Sequence, residues 1–150
     1  MTLHAAVPYL RVRNMTESLR FYRECLGFEV AGAAEADDGP YFARLERDGV
    51  ALMLSDRPSR FLDFRDHGEG HFHEHGEDEG AHFHGIDSVH DGALNFVIYV
   101  YVDDLDAAYE ELTSKGVEAV EPPLERFYGQ REFLIRDPDG YYFAFAPRSA

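Results

Sequence analysis

The chain has 150 residues with 45% hydrophobic and 14% aromatic content, enough to bury the core of one compact domain or of two halves that share a core. Its net charge of −15 argues against a phosphate-binding basic face and with it against nucleic acid as a partner, and suits a cationic ligand or a metal ion, or simply solubility. The lone cysteine, Cys25, leaves no disulfide framework. It fits a reducing cytoplasm and reads as a small buried residue. Met1 to Ala6 show neither a basic start nor a long apolar run, so no signal peptide is expected, and no apolar stretch reaches the roughly 20 residues of a membrane span.

The first strand is expected at 6–12, with Leu10 and Val12 on one face and Tyr9 and Arg11 on the other. Asn14 with Glu17 three residues on predicts a capped helix start. Met15, Leu19, Tyr22 and Leu26 form its apolar stripe, and Gly27 ends it. Strands are expected at 28–33, 41–46 and 50–55, the last two joined by an Asp48-Gly49 hairpin turn.

The second half repeats this plan about 90 residues later, too long an offset for a solenoid. Residues 94–102 read as a strand, Asp104 caps a helix reaching Lys115, and Gly116 ends it. Strands near 117–120, 131–136 and 141–146 follow, the last two joined by a turn at Asp137-Pro138-Asp139-Gly140. The fold class expected is α+β, two tandem βαβββ modules whose curved mixed sheet surrounds a cleft. Module one covers about 1–57 and module two about 92–150, within one domain of 1–150.

Residues of about 58–91 match neither copy and read as an insertion. It holds His67, His71, His73, His75, His82, His84 and His90, seven of the chain's eight histidines. In extended chain His71, His73 and His75 share a face, as do His82 and His84, and a turn at 76–80 would bring the two sets together. Beside Glu74, Glu77, Asp78 and Glu79 these five imidazoles suit Zn²⁺, Ni²⁺ or Cu²⁺. The same composition also describes a polar loop with no metal.

Val7-Pro8-Tyr9-Leu10-Arg11-Val12, then Phe21-Tyr22, then Leu26-Gly27-Phe28 resemble the opening of the vicinal oxygen chelate superfamily. The stretch Glu125-Arg126-Phe127-Tyr128-Gly129-Gln130-Arg131-Glu132-Phe133, followed by the turn at 137–140 and Phe145, is most similar to the bleomycin-resistance branch. The resemblance implies a ligand cleft and a homodimer. In metal-dependent members four strand positions carry His or Glu ligands; carried onto this chain they become Val7, Met53, Val97 and Ala144. None offers a donor for a hard divalent ion, so no metal is expected in the cleft.

Strand alternation places Tyr9, Arg11, Met53, Ser55, Asn95, Tyr99, Tyr101 and Tyr142 on the cleft side, with Phe127 and Tyr128 as an aromatic lip. Such a wall stacks flat rings, though tyrosine also fills strands without binding anything. No nucleophile elbow, phosphate loop or dinucleotide fingerprint is present. The expected function is metal-independent sequestration of a cationic or aromatic small molecule, without nucleic acid or membrane partners. The alternatives are a lyase- or dioxygenase-like enzyme whose metal comes from the insertion, and a metal-buffering protein.

Overall fold

The computed structural model describes residues 1–57 and 96–148. Module one runs β1 (Tyr9–Arg11), α1 (Met15–Arg20), a π-helical turn (Phe21–Cys25), β2 (Glu29–Ala36), β3 (Gly39–Arg47) and β4 (Val50–Ser55). Module two runs β5 (Val97–Val102), α2 (Leu105–Ser114), β6 (Ala119–Glu125), β7 (Arg131–Arg136) and β8 (Tyr142–Pro147). Each builds its own four-stranded sheet, ordered β1-β4-β3-β2 and β5-β8-β7-β6. In both, the first strand lies parallel to the last, because the helix is a crossover, and the remaining neighbours are antiparallel.

Both helices start as the sequence dictates. The Asn14 side chain accepts the Glu17 N–H at 3.1 Å, and Asp104 accepts that of Ala107 at 3.0 Å. Replacing either cap by alanine is expected to cost about 1 kcal/mol, read from urea midpoints. The first helix departs from a uniform α-helix: its last turn widens, with the Leu26 N–H bonded five residues back to the Phe21 carbonyl. Gly27 ends it at φ 70°, where a Cβ would lie 2.9 Å from Arg47 Nη1. That guanidinium caps the Leu26 carbonyl at 2.6 Å.

The expected strands are present with shifted ends. The Asp48-Gly49 turn has both residues at positive φ, the geometry that matches strand twist in a hairpin. β6 runs through Pro122 and Pro123, beyond the expected end near residue 120. Proline is tolerated there because β6 is an edge strand, and its pairing with β7 slips around the two prolines.

One apolar core joins the modules. Leu10, Val12, Met15, Tyr22, Leu45, Leu52 and Leu54 from module one pack in the same cluster as Ile98, Leu105, Leu112, Phe133, Ile135 and Phe143 from module two. A polar clasp closes the seam. Asp139, 3% exposed, accepts the Arg13 N–H at 2.8 Å and the Ser18 hydroxyl at 2.7 Å. Asp137 accepts the Tyr22 hydroxyl at 2.6 Å and the backbone N–H groups of Asp139 and Tyr141. The Tyr141 hydroxyl donates to the Arg11 carbonyl at 2.9 Å, while Lys115 reaches the Cys25 carbonyl.

Candidate ligand-binding wall

Alternation along β5 sends Ile98 into the core and leaves Tyr99 and Tyr101 on the opposite face, 44% and 55% exposed. Their rings stack at 6.3 Å with an interplanar angle of 28°. Across the parallel ladder they face Ala144 and Ala146, both fully buried. Leu134, paired with Ala144, continues this floor on β7. These three buried residues stand outside the shared core cluster, as expected for the other side of the sheet.

Tyr128 closes one side. It sits in a turn where the Gly129 N–H returns to the Arg126 carbonyl at 2.8 Å and Gly129 takes φ 81°. Its hydroxyl approaches that of Tyr99 at 3.5 Å and donates to Glu132 Oε1 at 2.8 Å. The Tyr99 hydroxyl, loss of water and the Glu132 carboxylate, in that order, hold the Tyr128 phenol above its ordinary range, so it remains a neutral donor. Phe127, fully exposed, meets the Tyr128 ring edge-to-face at 4.9 Å.

The remaining expected wall residues scatter. Tyr142 is half-buried between Val97 and Arg136, two positions along β8 from Ala144. Tyr9 stacks on Phe42 at 6.4 Å in the module-one sheet, with Met53 as its strand neighbour. Arg11 lies beside Ser55 in the same ladder. Ser55 is buried, and its hydroxyl donates to the Tyr41 carbonyl at 2.8 Å, so it braces the end of β4. Among the described residues the ring contacts of Tyr9 and of Tyr99 stay within their own modules. Asn95 and His71, His73, His75, His82 and His84 lie outside the described residues.

A charged group that the sequence pattern does not single out lies behind the tyrosines. Glu132, 2% exposed, also accepts Arg126 Nε at 2.7 Å, and Arg126 pairs in turn with Glu121. The available signal was alternation: Phe133 and Ile135 point to the core, which puts Glu132 and Leu134 on the tyrosine face.

Val7, Met53, Val97 and Ala144 do not fit a divalent cation. Three present hydrocarbon alone and Met53 only a thioether, so Lewis-acid chemistry has no donor set at those positions. Among the described residues no three His, Cys, Asp or Glu side chains are grouped to hold a metal. No described helix is long and apolar enough to cross a membrane.

Two βαβββ modules with parallel first and last strands, a shared core and an outward aromatic face define a class of paired-module α+β proteins. The model of the Glyoxalase/Bleomycin resistance protein/Dioxygenase superfamily matches residues 2–145, and the chain belongs to that superfamily. Solved structures share the fold at low identity. The bleomycin resistance determinant encoded on transposon Tn5 is 19% identical with a TM-score of 0.64, over 99% of this chain and 100% of its own. TnmS3, an antibiotic binding protein from Streptomyces sp. CB03234, is 16% identical at 0.63, covering 99% and 98%. TioX from Micromonospora sp. ML1 is 18% identical at 0.63, covering 95% and 97%. No curated protein matches the sequence.

Proposed function

We propose that this protein binds and sequesters a small aromatic, cationic molecule on the module-two tyrosine wall, without a metal ion and without chemical conversion. The observation that carries the reading is the stacked, solvent-facing pair Tyr99 and Tyr101 above a floor of Ala144, Ala146 and Leu134. Exposed stacked rings beside these apolar residues offer an apolar surface, and the hydroxyls orient a ligand at its edge. Membership beside resistance and antibiotic-binding proteins supports the reading. A homodimer is part of the proposal, since Tyr9 of module one and Tyr99 and Tyr101 of module two leave aromatic surface uncovered in the single chain; sedimentation equilibrium checks it.

The test uses the absence of tryptophan, which leaves tyrosine as the emitter. A planar aromatic cation such as proflavine is expected to quench that emission saturably, with an unchanged curve in the presence of EDTA. The Tyr99→Ala, Tyr101→Ala double variant is expected to weaken binding by about tenfold or more while keeping its melting temperature. Quenching that disappears with EDTA, or survives in the double variant, counts against the site.

The histidines of the insertion support a second reading as a metal buffer. Elemental analysis of untagged protein, with and without residues 67–84, separates the two. Several ions per chain that vanish with the deletion favour the buffer.

A further inference from the structure

A carboxylate on a strand face normally ends in water or is fully paired. Glu132 does neither. Its Oε1 accepts two hydrogen bonds, from Arg126 and Tyr128, whereas its Oε2 is buried and, among the described residues, accepts none. Two residues earlier in the chain, Gln130 Nε2 is also buried and, among the described residues, without an acceptor. The local charge is unbalanced as well. Arg126 is one cation between two carboxylates, Glu121 and Glu132. An orphaned charged oxygen is costly, so its persistence beside an exposed aromatic pair calls for a partner.

We propose that Glu132 Oε2 anchors a ligand subsite on the tyrosine wall, and that this subsite takes a protonated nitrogen, an ammonium or guanidinium, from a ligand whose ring lies on Tyr99 and Tyr101. The inference rests on the binding reading above and specifies its chemistry. An anion at this place meets two carboxylates. A neutral apolar group leaves Oε2 unsatisfied. A second cation completes the charge and supplies the missing donor at once. The other arginine on this face of β7, Arg136, is four residues away, about 13 Å along the strand.

Access runs past Tyr128. The ring is half-exposed and belongs to a short turn, and its contact with Tyr99 is too long to hold it firmly. Rotation of the side chain outward uncovers the carboxylate. Arg126 stays in place on Oε1, so the anchor keeps its orientation while the incoming cation takes Oε2.

The experiment compares two probes of equal shape, 2-naphthylmethylammonium and 2-naphthylmethanol, by isothermal titration at an ionic strength near 0.15 M. The whole chain is used, as wild type, Glu132→Gln, Glu110→Gln and Tyr128→Phe. Wild type is expected to bind the ammonium about tenfold more tightly than the alcohol. Glu132→Gln, which retains an acceptor for Arg126 and Tyr128, is expected to lose that preference and to bind the alcohol unchanged. Glu110→Gln removes one charge from the exposed face of α2 and is expected to keep the preference, which separates the anchor from the general acidity of the chain. Tyr128→Phe removes the hydroxyl that donates to Glu132 Oε1 while keeping the ring, and is expected to bind the ammonium as tightly or a few-fold more tightly, because one competitor for the carboxylate is gone. Equal binding of both probes by wild type, a preference that survives Glu132→Gln, or weakened ammonium binding in Tyr128→Phe overturns the anchor and leaves the aromatic wall standing. Failure of both probes to bind wild type overturns the binding reading itself.

Discussion

Replacing Tyr22 by alanine is expected to lower the stability of the whole chain by about 3–5 kcal/mol, read from urea unfolding followed by circular dichroism. The ring is fully buried and meets Phe21, Phe28 and Phe143 edge-on, with centroids 5.5, 6.2 and 6.0 Å away. Phe143 belongs to module two, so the cavity opens in the seam and weakens both sheets together. Tyr22→Phe separates ring from hydroxyl. It keeps the packing but removes the donor at 2.6 Å from Asp137, and is expected to cost about 1–3 kcal/mol. A loss below about 1 kcal/mol in the alanine variant means that the seam repacks without this ring.

The second large effect is a pH dependence centred on Asp137. Burial raises its carboxyl from 3.8 to about 6, against the opposing hydrogen bonds from Tyr22 and from the backbone of Tyr141. The nearby charge of Asp139 acts in the same direction as burial. Because the folded value lies above the unfolded one, the folded state holds the proton longer. Below about pH 3.8 both states are protonated and the group is neutral to folding. As pH rises towards 6 the unfolded chain alone gives up the proton, so this contribution to stability falls, and above about 6 it has fallen by about 3 kcal/mol. Twenty-nine acidic residues add their own acid dependence, so the informative quantity is a difference. Asn at position 137 imitates the protonated carboxyl and can still accept both backbone N–H groups. Its stability relative to wild type is expected to rise by about 2–3 kcal/mol between pH 4 and pH 7, measured by urea titration at each pH. A flat difference means that the Asp137 carboxyl titrates normally despite its burial.

Local chemistry made much of the fold legible. Asn14 and Asp104 announce helix starts because their side chains bond N–H groups only three residues away, and Asp48-Gly49 announces a hairpin because few residues accept positive φ. Features set by distant contacts left weaker traces. The turn at Asp137–Gly140 reads as a turn, but nothing near it reveals that its carboxylates grip Arg13, Ser18 and Tyr22 more than 110 residues earlier. The run of β6 through Pro122 and Pro123 depends on its place at a sheet edge, which is a property of topology. The candidate site divides the same way. Alternation put Tyr99 and Tyr101 on one face, and strand geometry does the same. Ser55, chosen by that rule, bonds instead to a neighbouring strand, and Glu132 went unnoticed because a motif full of charge hides the one carboxylate that is buried.

The two prolines of β6 also bear on how this molecule behaves in a crowd. An unpaired strand margin is a template on which another chain can lay its own backbone, and a sheet that accepts one such addition offers a fresh margin to the next. Pro122 and Pro123 present no N–H there, and the ladder beside them is irregular, so growth in that direction is interrupted by covalent structure. Among the described residues this edge of the sheet thus resists the addition of another strand, at a position that contributes little to the core.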